Sequence, residues 1–421
     1  MGYEREKARD PISTVPPESL NDEVANGITS NARSPAPAPA VVPDSLAYQI
    51  LKRFCQFRNK NQEDWWHGIS PVLVTFLVAA GYKVCSQYDY LRLFRDHVYH
   101  ALDVLPRSLR PPTWKSRLTP FHTPAQFDLI QHDDKTTVQF SYEPIGPEAG
   151  TPSDPFNREA LSNALDLLSS GGVSYNTELL HIFEEELVLS DQDAALLQET
   201  GKQIDHKPVA ILSLKLGHEI NDISVGCILS PVLKSISTNS PRHELIFGAI
   251  RRIDHDYRFA EALSVVAQYW SSSGGSETRE LVSIGWDMVE PHKSSIRLYI
   301  AEWNVSFQSV RDFFTLKDRR KNAATMSGVA DMRELWRQLD IPEKNLKAPL
   351  HSLEANSPSF FSPLVFCFEL LSGNPEPKLH ASFPVDDLDT EHVTQVLRNF
   401  HDQLGWKSLR RSLDHSVQEA L

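Results

Sequence analysis

The sequence predicts an α+β fold, an antiparallel β-barrel of ααββ repeats with helices outside. Three observations lead there. Four times along the chain, helical periodicity gives way to a pair of short apolar runs with strand-like patterning. The members of each pair are joined by short polar linkers, which suits hairpins, whereas a parallel crossover needs a dozen or more residues. No G-x-G-x-x-G fingerprint is present, so a doubly wound nucleotide-binding sheet loses support. The rounds are unevenly spaced, which marks a divergent internal repeat and not a solenoid array.

Residues 1–44 carry seven prolines, including the run SPAPAPA, few large apolar side chains and no periodicity. A disordered arm is expected over 1–44 and a single folded domain over 45–421. Segment 64–82 is apolar enough for a buried helix ended by Gly81. A second helix is expected over 86–105: Ser86 and Asp89 resemble a capping box, and Leu91, Phe94, Val98, Ala101 and Leu105 recur at helical spacing. Past Pro111 and Pro112, runs 125–131 and 136–142 flank the turn-like HDDK and make the first strand pair. Asp154 and Pro155 suit the N-cap and first turn of a helix over 156–168, and helices follow over 177–186 and 191–199. The second pair is 208–217 with 223–229. A long helical stretch over 244–270 ends in SSSGG and leads to the third pair, 281–288 and 295–302. Helices over 307–316, N-capped by Ser306, and 330–339 precede the fourth pair, 364–371 and 378–383, and a last helix covers 390–404.

Composition narrows the function. The 421 residues are 41% apolar and 23% charged, with a formal charge of -13. An acidic chain without a Lys/Arg block lacks the clustered positive charge that nucleic acids and anionic membranes require. The longest apolar run, 71–80, falls short of the roughly 18–20 residues that span a bilayer. The start MGYEREKARD has no apolar signal region, and Gly2 is not followed by Ser or Thr at the myristoylation position. A cytosolic location is expected, and a homodimer is compatible with this composition. The four cysteines form no C-x-x-C pair and are expected as reduced, small apolar side chains.

No P-loop, H-E-x-x-H, G-x-S-x-G or EF-hand pattern occurs. The acidic stretch Asp386, Asp387, Asp389 lacks D-D-x-x-D spacing and reads as the charge cap of the helix behind it. His97 and His100 stand at i and i+3 without a third ligand, so no metal site is expected. The informative residues are polar side chains on strands: Gln126, Gln139, Arg297, Tyr299 and His380. Arg297, with Tyr299 two residues on, suggests an anion held beside an aromatic ring inside a barrel. The alternative is an outward arginine paired with a helix carboxylate.

Six segments together resemble the fungal aromatic prenyltransferases of the dimethylallyltryptophan-synthase type: WWHGISPVLVTFLVAAGY, QYDYLRLFRDHVYHAL, WKSRLTPFHTPAQFDL, VQFSYEPIGPEAGTPSDPFN, WDMVEPHKSSIRLYI and SFQSVRDFFTLKDRR. The likeness runs from about Trp65 to Trp406. It implies a ten-stranded barrel of ααββ repeats and a reaction without a bound metal or other cofactor. In that reaction a prenyl diphosphate ionises, stacked tyrosines shield the allylic cation, and an electron-rich ring attacks it. Basic side chains hold the diphosphate, and a carboxylate accepts a substrate proton.

Carried over residue by residue, the resemblance places Gln126 of PAQF at the family's catalytic glutamate and, with Leu118, against the acceptor. Glutamine cannot act as a base but can orient an N–H or O–H. Gln139 stands at the family's arginine in V-R-F-S-F-E-P-I. Ser295, Arg297 and Tyr299 fill the R-x-K-x-Y triplet; Gly226, Ile228 and Pro231 fill K-x-Y-x-x-P; His380 and Ser382 fill the later pair; Arg279 matches a further basic contact. The implied diphosphate set is therefore Gln139, Arg279, Arg297, Tyr299 and His380, and the partners are a prenyl diphosphate and a small aromatic acceptor. The resemblance implies a last strand pair with another shielding tyrosine beyond GWKSLRRSLDHSVQEAL, so either the sequence is truncated or the barrel is open. Other readings keep the fold: a cyclase or isomerase working on a pathway intermediate, or an inactive binding paralogue.

Overall fold

Local sequence signals set most of the elements, and a few strained residues move their ends. The computed structural model describes residues 45–404 except 106–113, 117, 120–121, 133–134, 201–208, 273–277 and 346–361. The expected arm over 1–44 lies outside the described residues. Helices α1 (Leu46–Phe54), α2 (Lys60–Ala79) and α3 (Val84–Asp96) lead to strands β1 (Ala125–His132) and β2 (Lys135–Tyr142). Helices α4 (Ala160–Ser170), α5 (Glu178–Leu187) and α6 (Asp191–Glu199) lead to β3 (Ala210–Leu216) and β4 (Ser224–Leu229). Helices α7 (Val232–Thr238), α8 (Arg242–Tyr257) and α9 (Ala260–Ser271) lead to β5 (Arg279–Asp287) and β6 (Ser295–Glu302). After the two-residue strand β7 (Asn304–Val305) come α10 (Phe307–Phe314), α11 (Ala323–Leu339), β8 (Lys344–Asn345), β9 (Leu364–Leu371), β10 (Lys378–Ser382) and α12 (Thr390–Gln403). Helices followed by an antiparallel strand pair thus recur four times, with three helices in each of the first three rounds and two in the fourth.

Several boundaries differ from the sequence reading, each for a visible reason. Ser86 does not cap: α3 begins earlier, behind Lys83, and the Ser86 hydroxyl donates to the His218 carbonyl at 2.6 Å. That helix ends at Asp96, and only a 3-10 turn follows at Val98–Ala101. Asp154 and Pro155 do not open a helix, because Asn157 adopts a left-handed φ of 54° and α4 starts after it. Arg258, at φ 57°, splits the stretch 244–270 into α8 and α9. The caps at Ser306 and Asp389 hold as expected: each side chain accepts a backbone N–H of the first turn.

The main sheet is antiparallel throughout, in the order β1-β2-β3-β4-β5-β6-β9-β10. Strands β1 and β10 are its edges, so among the described residues the barrel is open, with eight strands. One face is apolar and packs on the helices: Val138, Phe140, Leu212, Leu214, Leu298, Ile300, Phe366 and Phe368 are fully buried. Aromatic contacts tie each helical layer to a strand. Phe76 of α2 stacks on Phe127, Phe94 of α3 meets Phe140 at 4.8 Å, Phe183 of α5 meets Trp286 at 4.8 Å, and Phe313 of α10 stacks on Phe366 at 4.3 Å. This outer core leaves the other face of the curl to form the lumen.

Candidate active site

Because side chains alternate along a strand, fixing the apolar face fixes the lumen face, and the register then aligns it in rungs. One rung reads Gln126, Ser141, Ser213, Gly226 and Asp287, with Ser295 donating to Asp287 at 2.8 Å. The next on one side reads Ile211, Ile228, Gly285, Arg297, Glu369 and Lys378. Beyond it lie Ser283, Tyr299, Cys367 and His380. On the other side of the first rung lie Asp128, Gln139, Lys215 and Ser224. The lumen face thus carries mainly small, polar and charged side chains, with Ile211 and Ile228 among them.

Two glycines make space for the charged and aromatic residues. A Cβ on Gly226 would lie 2.5 Å from Ser213 Oγ and 3.5 Å from an Arg297 nitrogen. A Cβ on Gly285 would lie 3.0 Å from Ile228 Cγ1 and 3.1 Å from the Tyr299 ring. Their absence lets the Arg297 side chain and the Tyr299 ring lie close over the neighbouring strands.

Arg297 points into the lumen and gives an Nη2 hydrogen bond to Asp287 Oδ1 at 2.8 Å. Its Nε is buried and has no partner among the described residues. Burial opposes the guanidinium's charge, but Asp287 beside it more than offsets this and keeps its pKa above the ordinary value. Burial pushes the Tyr299 phenol up to about 12, so the ring stays neutral at physiological pH. Glu369 accepts from His380 Nε2 at 3.2 Å and has Lys378 at 3.7 Å. The His380 hydrogen bond outweighs partial burial and holds the Glu369 carboxyl at about 2. On the far wall, Asp128 accepts from Gln126 Nε2 at 2.7 Å and from Gln139 Nε2 at 3.2 Å.

The structure brings Gln126, Gln139, Arg297, Tyr299 and His380 onto one lumen face, which excludes the helix-paired alternative for Arg297. Leu118 is half-buried in the segment leading to β1, its N–H donating to Ser116 Oγ at 3.1 Å. Arg279 is a correction. It lies on the helix side of the sheet, in a buried ion pair with Glu302 and over the Tyr269 ring of α9 at 5.1 Å. The reason is a β-bulge between Leu281 and Ser283, which reverses the alternation ahead of it. Cys227 and Cys367 are buried as expected, but Cys85 is exposed. Sequence reasoning missed Asp128, Asp287, Lys215 and Glu369; of these, Asp128 alone carried a sequence signal, since it shares the strand and parity of Gln126.

A family model described as tryptophan dimethylallyltransferase matches residues 61–415. The chain belongs to that family. A tryptophan dimethylallyltransferase of Arthroderma otae is 31% identical over 390 residues, covering 90% of this chain and 86% of the relative. Another, of Trichophyton verrucosum, is 30% identical over 370 residues, covering 87% and 97%. The crystal structure of AnaPT from Neosartorya fischeri superposes with a TM-score of 0.75 at 25% identity, covering 89% of this chain and 88% of that one. The NotF prenyltransferase has the same fold, with a TM-score of 0.75 at 24% identity, covering 89% and 90%. The resemblance read from the sequence is borne out, and with it the prenyltransferase barrel. Among the described residues, no helix is long and apolar enough to cross a membrane.

Proposed function

We propose that this protein transfers a prenyl group, dimethylallyl or longer, from its diphosphate to an aromatic acceptor in fungal secondary-metabolite biosynthesis. It does so in the cytosol, without a bound metal, as a single domain over 45–421. Family membership supports the reaction class. The observation that carries the reading at the level of residues is Arg297 beside Tyr299 in the lumen, with a buried guanidinium Nε that no protein acceptor satisfies among the described residues. A buried unsatisfied donor is costly, and an oxyanion ligand removes that cost.

In this reading the diphosphate lies against Arg297, with His380 as a lumen donor toward the same ligand, whereas the Gln139 amide is engaged with Asp128 on β1. Arg279 takes no part, since it is spent on Glu302. The C–O bond of the prenyl diphosphate breaks and its electron pair leaves on the diphosphate, where the guanidinium stabilises the developing charge. The Tyr299 ring faces the allylic cation and attracts it through its π electrons. A ring π pair of the acceptor, seated near Leu118 and Gln126, forms the new C–C bond, and loss of the ring proton to water restores aromaticity.

The test is incubation of the purified protein with dimethylallyl diphosphate and a panel of indole and phenol acceptors, with EDTA present. A product carrying one added dimethylallyl group supports the proposal. Failure to bind or consume any prenyl diphosphate overturns it in favour of a repurposed or inactive barrel.

A further inference from the structure

We propose that Asp128, and not Gln126, is the carboxylate that receives the acceptor's indole N–H in this lumen; the inference rests on the transferase reading above. Three observations converge. Gln126, at the position where the resemblance implies a catalytic glutamate, uses its Nε2 to donate to Asp128 Oδ1 at 2.7 Å. Gln139, across the ladder on β2, donates to the other oxygen at 3.2 Å. Asp128 lies two residues along β1 on the same face and is half-buried, while Gln126 is exposed. Two neutral amides therefore fix the orientation of one carboxylate on the lumen wall.

The chemistry follows from counting donors and acceptors. An ionised carboxylate offers about four lone-pair sites, so two engaged amides leave others free to receive an N–H. Asp128 therefore acts as the hydrogen-bond acceptor for that N–H. When the ring π pair attacks the allylic carbon, positive charge spreads to the indole nitrogen, and the fixed carboxylate stabilises it there. Strand β1 stands five steps from β6 in the sheet order, so the acceptor's polar end and the diphosphate's cation Arg297 belong to different walls of the curl.

The experiment compares the binding of tryptophan with that of its benzothiophene analogue, in which sulfur replaces the N–H, by calorimetry on the full chain. Wild type is expected to prefer tryptophan roughly 10- to 150-fold, the worth of a hydrogen bond to a charged group. Asp128→Asn, whose neutral carbonyl accepts a weaker hydrogen bond, loses most of that preference while keeping its affinity for a prenyl diphosphate thio-analogue and its melting temperature. Equal or absent binding of the two ligands by wild type, or an Asp128→Asn protein that discriminates as strongly as wild type, overturns the assignment. Turnover separates the two proposals: discrimination lost in Asp128→Asn without prenyl transfer by wild type sinks the transferase reading and leaves Asp128 as the indole contact.

Discussion

Replacing Arg297 by alanine is expected to remove the diphosphate ligand before it harms the fold. The side chain is 24% exposed, and its partner Asp287 is 38% exposed. An ion pair that open to solvent contributes at most about 1 kcal/mol to stability. Asp287 also keeps the Ser295 hydroxyl at 2.8 Å, so it is not left bare. The ligand side weighs more: a hydrogen bond between charged groups contributes about 1.5–3 kcal/mol, or roughly 10- to 150-fold in affinity. Asp287→Asn is the informative control, because it frees the guanidinium and is expected to hold or strengthen binding. The assay is calorimetric titration with a non-ionisable thio-analogue of dimethylallyl diphosphate, with urea unfolding run in parallel. Binding by Arg297→Ala within twofold of wild type refutes the placement of the diphosphate at Arg297.

Other outcomes follow from neighbouring residues. Arg279→Ala leaves Glu302 buried without its cation and is expected to cost about 3–5 kcal/mol in urea unfolding; a loss confined to diphosphate affinity contradicts a structural role for this pair. Gly285→Ala forces a methyl against Ile228 and the Tyr299 ring, so a loss of about 1–3 kcal/mol is expected together with slower prenyl transfer, and an unchanged urea midpoint counts against this close packing. Glu369 is depressed to about 2 in the folded chain against about 4.3 unfolded. Its contribution is therefore complete above the unfolded value and drains away as pH falls toward 2. Urea midpoints of Glu369→Gln, measured at stepped pH between about 5 and 2, should fall less steeply than those of wild type.

The sequence by itself determined the repeat rhythm, the strand pairs and the family, because alternation, turn chemistry and caps are local and need no partner to be read. It also chose some of the lumen residues, since Gln126 and Gln139, or Arg297 and Tyr299, sit on strands whose opposite positions are plainly apolar. Tertiary structure decided what those residues do. Arg279 and Arg297 both lie on strands and both meet a carboxylate, yet a bulge between Leu281 and Ser283 turns one toward the helices and leaves the other in the lumen. A one-residue slip of this kind reverses every side chain ahead of it and leaves no mark in the composition. Likewise, a left-handed Arg258 cut the long helix of 244–270 in two. The roles of Asp128 and Asp287 emerged only from cross-strand register, because a hydrogen bond between residues on different strands depends on how the strands align, and a list of residues does not contain that alignment.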